Sequence, residues 1–162
     1  MFFRKRPQRP EVGTPAPEFR LKRLEGGEAA LSNLRAEGPV LLAFFKVSCP
    51  VCQMTLPFLD RIHEGGVLRI CGVSQNDQGD TSEFARHYGL RFPMLLDSED
   101  DKFPASNAYG LSHVPTVFLV EPDGVVGRVM EGWVKQDILW FGARAGVNPI
   151  AADERVPEWK AG

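Results

Sequence analysis

The chain has 162 residues, 43% of them hydrophobic and 25% charged, which is the balance of a soluble globular protein with one core-forming domain, with or without tails. Its 19 basic and 21 acidic residues leave a net charge of −2 and no strongly basic footprint, so nucleic acid is not an expected partner. Three cysteines are too few for a disulfide scaffold.

In chain order, residues 1–11 read as a flexible basic tail, 12–145 as the folded domain and 146–162 as a loosely packed C-terminal tail. Arg4, Lys5 and Arg6 imitate the start of a secretory leader. Pro7, Gln8, Arg9 and Pro10 follow where its apolar stretch belongs, so a cytoplasmic location is expected. The longest apolar run, Val40 to Phe45, is far below the ~20 residues of a membrane-spanning helix.

Phe19 to Leu24, the turn Glu25-Gly26-Gly27 and Glu28 to Leu31 predict a hairpin, followed by a helical turn capped by Ser32. Val40 to Phe45 is a strand apolar on both faces, as in a parallel sheet. Pro50 opens a helix to about Glu64, with Leu56, Phe58, Leu59 and Ile62 on its inner face, a kink expected at Pro57 and a stop at Gly65-Gly66. Val67 to Val73 is a second buried strand. Ser82 to Tyr88 is a helix capped by Thr81 or Asp80. Pro93 to Leu96 is a short strand, Asp97 to Asp101 an acidic loop and Ala105 to Tyr109 a helix. Thr116 to Val120 and Val125 to Met130 form a hairpin across Glu121-Pro122-Asp123-Gly124. Lys135 to Ala145 is an amphipathic helix, and Trp133 and Trp140 are spaced to share its face. Strands alternating with helices imply an α/β domain with a parallel core, made mixed by the hairpins.

Cys49 and Cys52 form one CxxC at a strand-to-helix junction. A thiolate is the working nucleophile of sulfur exchange. A sulfur just before a helix sits beside free backbone N–H groups and the positive end of the helix dipole, which favour that thiolate. A second sulfur one helical turn on can attack a mixed disulfide and release the partner. Cys49 is therefore the expected exposed nucleophile and Cys52 the buried resolving thiol. A zinc site is the competing reading, but Cys71 is the only other cysteine and His63 and His87 are scattered. A haem attachment would need a histidine where Gln53 stands. No metal or organic cofactor is expected. Cys71, within an apolar strand, reads as an inert core residue.

The strand Leu41-Leu42-Ala43-Phe44-Phe45, the run Cys49-Pro50-Val51-Cys52, the helix carrying Pro57 and the distant Val114-Pro115-Thr116 together resemble the thioredoxin superfamily. The N-terminal hairpin and the segment from Glu83 to Leu96 are similar to its TlpA-like and redoxin branch, related to AhpC/TSA proteins. The resemblance implies a three-layer thioredoxin-like fold, with a central mixed sheet flanked by helices and an extra N-terminal hairpin. It implies a cis Pro115 packed against the two sulfurs. It also implies that Val114 pairs with an extended substrate segment, and that Pro50 and Val51 line the same substrate surface. The implied activity is thiol–disulfide exchange with a protein or small-molecule partner, by a monomer or weak dimer with no membrane span.

Three departures stand out. Ala43 and Thr55 occupy places where these families carry an acid, and Ser48 replaces a tryptophan before the first cysteine. The proton acceptor for Cys52 is thus left open. Lys46 and His113 are candidate cations favouring the Cys49 thiolate, with a solvated surface position the competing reading of Lys46. Two rival functions remain. A redox-inactive binding module would use the groove alone. A thiol peroxidase would carry Thr and Pro where Lys46 and Leu42 stand. Pro50 in the first middle position is shared with glutaredoxins and oxidising catalysts, whereas a reducing cytoplasm favours a reductase. TlpA-like relatives mostly work outside the cytoplasm, which makes an extracytoplasmic location the alternative.

Overall fold

The computed structural model describes residues 5–162, so the first four residues of the expected basic tail lie outside the described residues. Within that tail Pro10 is buried, and Arg9 pairs with Glu131 at 2.8 Å.

The elements in order are β1 (Arg20–Arg23), β2 (Glu28–Ala30), α1 (Leu31–Ala36), β3 (Val40–Phe45), α2 (Pro50–Glu64), β4 (Arg69–Ser74), α3 (Gln78–Tyr88), β5 (Met94–Leu96), α4 (Pro104–Ala108), β6 (Thr116–Val120), β7 (Val126–Glu131), β8 (Trp133–Val134), α5 (Lys135–Ala145) and β9 (Trp159–Lys160). Seven strands form one sheet in the order β2-β1-β5-β4-β3-β6-β7. Pairs β3–β4 and β4–β5 are parallel and the others antiparallel, so the sheet is mixed, as expected.

β3 lies in the middle, and its alternation builds the three layers. Leu41, Ala43 and Phe45 face the core shared with α2, α3 and α5. Val40, Leu42 and Phe44 face the core shared with α1, α4 and the N-terminal hairpin. With helices on both faces no position along the strand meets water, which is why it reads as an unbroken apolar run. Helix α2 continues as one element through Pro57. Cys71 is buried, and burial pushes its thiol up to about 12.

Several local expectations are corrected. Ser32 does not cap α1. The helix follows Ala30 directly, and the Glu18 carboxylate instead accepts from the Ser32 N–H at 3.2 Å. Helix α3 begins at Gln78, because Asp77 accepts from the Asp80 N–H at 2.9 Å and caps the helix earlier than Asp80 or Thr81 would. Strand β4 begins at Arg69, and Val67 is exposed. Asp97 is not part of a solvated loop. It is fully buried and accepts from Ala105 N–H, Ser106 N–H and Ser106 Oγ at 2.9, 2.7 and 2.5 Å, which satisfies the start of α4.

Trp133 and Trp140 do not share a helix face. Trp133 lies on β8, fully buried against Phe58 at 5.0 Å, and its Nε1 donates to Pro157 O at 2.6 Å. Trp140 stands at the surface under the Arg128 guanidinium, 4.5 Å from the ring centre.

The segment after α5 is packed rather than loose. Ile150 is buried, Val147 and Val156 join the same core, and Arg61 on α2 grips Glu154 through two bonds of 2.6 and 3.1 Å. β9 then pairs with β8. Helices α2 and α5 leave an apolar edge uncovered, and this irregular segment closes it.

Candidate active site

A parallel strand in the centre of a sheet delivers its chain to the carboxyl edge, where the next helix must start. β3 ends at Phe45, and α2 starts five residues further on at Pro50, with Cys49 as its N-cap. The cap role is chemical. Cys49 has extended backbone angles, and its Sγ accepts from the Cys52 N–H at 3.1 Å, as a Ser or Asp oxygen would. The nucleophile candidate therefore already sits where a helix N-terminus presents free donors to negative charge.

The loop is held from both sides. Asn76, just beyond β4, accepts from the Val47 N–H through Oδ1 at 3.0 Å. Gln53 on the second turn of α2 donates from Nε2 to the Val47 carbonyl at 2.8 Å. Neither amide was singled out by sequence reasoning. The available signal was an Asn at the carboxyl end of the strand parallel to β3.

Register brings in the second half of the site. β6 runs antiparallel to β3 with Thr116 opposite Phe44, so residues before Thr116 must lie beside residues after Phe45. The Cys49 thiol donates to the Val114 carbonyl at 3.6 Å. The Val114–Pro115 peptide is cis. The loop is braced by Thr116 Oγ1 donating to His113 O at 2.9 Å, and by Gly132 N–H donating to Pro115 O at 2.8 Å.

The two cysteines are in different environments. Cys49 is half-buried and Cys52 fully buried. Burial holds the Cys52 thiol well above the ordinary thiol range, and the neighbouring Cys49 sulfur raises it further. Thr55 and Ala43 are fully buried, and the Thr55 hydroxyl has no hydrogen-bond partner. Among the described residues no carboxylate bonds either sulfur.

The other expected site residues divide. Pro50 is exposed beside Cys49, whereas the Val51 side chain is buried in the α2 core and leaves Pro50 as the middle residue at the surface. Lys46 is exposed and its side chain bonds neither sulfur among the described residues, whereas its backbone N–H is directed at the Cys52 sulfur. His113 bonds Ser112 Oγ through Nδ1 at 2.9 Å, and its Nε2 lies 4.0 Å from Glu131 Oε2. Its ring is directed to that pair instead of to Cys49.

This geometry suits sulfur exchange: a half-exposed sulfur at a helix start, a buried sulfur one turn behind it, and a peptide edge alongside. Residues 12–129 match the model of the AhpC/TSA family. The chain belongs to the AhpC/TSA family.

As a member, it is 33% identical over 132 residues to the thiol–disulfide oxidoreductase ResA of Geobacillus thermodenitrificans, covering 78% of this chain and 74% of that protein. It is 28% identical over 131 residues to ResA of Bacillus subtilis, covering 78% of this chain and 71% of that protein. The thioredoxin domain of a thiol–disulfide oxidoreductase from Bacteroides vulgatus shares its fold, with a TM-score of 0.72, 22% identity and coverage of 85% of this chain and 99% of that one. This AhpC/TSA member is a thiol–disulfide oxidoreductase with a thioredoxin-like fold.

Proposed function

We propose that the enzyme exchanges disulfides through Cys49 and Cys52 and works as a reductase of polypeptide and small-molecule disulfides. The observation that carries this reading is the Cys49 sulfur, held at 3.1 Å from the Cys52 N–H and 3.6 Å from the Val114 carbonyl.

The Cys49 thiolate attacks one sulfur of the substrate disulfide. That bond breaks, a mixed disulfide forms at Cys49, and the other substrate sulfur leaves as a thiolate. Cys52 then gives up its proton, to water or to the departing thiolate, and attacks Cys49 Sγ. The Cys49–Cys52 disulfide forms and the second substrate sulfur departs. Two electrons have passed to the substrate, and a dithiol donor restores the pair.

Burial of Cys52 keeps the resolving sulfur a neutral thiol, so it does not compete with Cys49 for the incoming disulfide. Val114 offers the edge along which an extended substrate segment adds as a strand.

The test is turnover of a small disulfide in the presence of a dithiol donor. Cys49→Ser abolishes it. Cys52→Ser permits one attack and accumulates a mixed disulfide visible by mass. Full turnover by Cys49→Ser would remove the reading and leave a groove used for binding alone.

A further inference from the structure

The C-terminal segment reaches the active site. β9 pairs antiparallel with β8, Trp159 opposite Val134 and Lys160 opposite Trp133. Beyond it, a Cβ placed on Gly162 would lie 2.3 Å from Val114 O and 3.0 Å from His113 Cδ2. A Cβ on Gly132 would lie 2.4 Å from Lys160 O and 2.9 Å from Gly162 N. The backbone of Lys160–Gly162 therefore rests directly on Gly132 and on the Val114 carbonyl. That carbonyl is the acceptor for Cys49.

The hold on this segment changes abruptly at Glu158. Up to that point it is fixed: Trp133 Nε1 donates to Pro157 O at 2.6 Å and Lys135 N–H donates to Glu158 O at 3.0 Å. Past it, all four residues are exposed and joined only by a ladder two residues long, which is a marginal pairing. The Val114 N–H makes no backbone hydrogen bond among the described residues, so its edge is covered by Gly162 but not paired with it.

We infer that Trp159–Gly162 is a strap over the Val114 edge and sets the enzyme's substrate preference. The inference rests on the reading of Val114 as the docking edge for extended substrates. A polypeptide disulfide must displace the strap to pair with Val114. A small disulfide reaches the half-exposed Cys49 without doing so. The strap thus favours compact disulfides, and it admits extended polypeptide segments only when it lifts from Gly132 and Val114.

The experiment compares the full chain with a chain ending at Glu158 and with Gly162→Val, whose side chain cannot share space with the Val114 carbonyl. Each reduces hydroxyethyl disulfide and a disulfide-bonded polypeptide such as insulin. In both variants kcat/KM for the polypeptide rises about five-fold through KM, the gain from removing competition worth roughly one hydrogen bond, while the small disulfide is reduced as before. Unchanged small-disulfide turnover also reports that the variant is folded. If the shortened chain loses that turnover, Gly162→Val decides alone. A polypeptide-to-small ratio that stays level or falls overturns the strap. Failure of the full chain on both substrates overturns the proposed function instead, and the strap with it.

Discussion

The Cys49 sulfur and the Val114 carbonyl stand 3.6 Å apart, although 65 positions separate the two residues. The pairing of β3 with β6 makes this contact, since Phe44 and Thr116 face each other at the edge from which both loops leave. The site is thus a product of sheet register, and whatever loosens the Cys49 loop disturbs it.

Asn76→Ala removes the acceptor for the Val47 N–H, now bonded at 3.0 Å. Stability falls by about 1 kcal/mol, the worth of one such bond. Turnover of a small disulfide falls several-fold as Cys49 loses its position. Asn76→Asp keeps an acceptor and restores most of both. Urea unfolding and steady-state kinetics on the two variants check this.

Burial holds two thiols above their ordinary range, Cys71 at about 12 and Cys52 well above it too. Each folded-state pKa exceeds its unfolded value. The corresponding stability is therefore fully present below about pH 8.5 and lost as pH rises, because the unfolded chain releases protons that the folded chain keeps. Between pH 9 and 10 the reduced enzyme loses roughly 2.4 kcal/mol from the two groups together, at about 1.2 kcal/mol each over that unit. The Cys49–Cys52 disulfide form, with no titrating thiol at Cys52, shows half that slope. Urea midpoints of both forms at pH 8, 9 and 10 measure the difference.

Thr55→Val replaces a fully buried hydroxyl that has no partner with a methyl of the same shape. Leaving such a group unsatisfied costs about 1–3 kcal/mol, so the variant unfolds about 2–12 °C higher, at roughly 2–4 °C per kcal/mol for a chain of this size. Its turnover is unchanged, because the hydroxyl bonds neither sulfur. Calorimetry of the variant checks the shift.

Gly142→Ala tests the packed C-terminal segment. The new Cβ would stand 2.4 Å from Pro149 Cδ and 2.8 Å from Val147 O. Crowding of this kind costs about 1–3 kcal/mol, more than the ~1 kcal/mol that Ala gains over Gly in a helix. The variant is less stable, and limited proteolysis cuts residues 146–162 sooner than in the parent chain.

What could be read in advance follows from which forces leave a pattern. β3 and α2 were legible because burial on two faces gives an unbroken apolar run, and burial on one face gives a helical one. The cysteine pair was legible from its spacing at the junction of β3 and α2, and Val114-Pro115 only through the resemblance to the thioredoxin superfamily. Asp97 was not, because a carboxylate buried by three donors looks like any surface acid until α4 is in place. Asp77 was missed because the first turn it caps, Gln78-Gly79-Asp80, carries no apolar residue. Asn76 and Gln53 act through single bonds to one backbone unit, which no spacing records. The covering segment after α5 has no period, because its residues fill a gap between two helices instead of repeating along one.

The central claim is that Cys49 and Cys52 are one reducing dithiol, and its most direct measurement is the equilibrium of the pair with glutathione buffers, followed by mass after thiol trapping. The account expects a single two-electron transition confined to Cys49 and Cys52, with a midpoint near or below roughly −220 to −320 mV. A midpoint near −120 mV, as in strong oxidants, would contradict the reducing role, and the absence of any Cys49–Cys52 disulfide would contradict the dithiol itself.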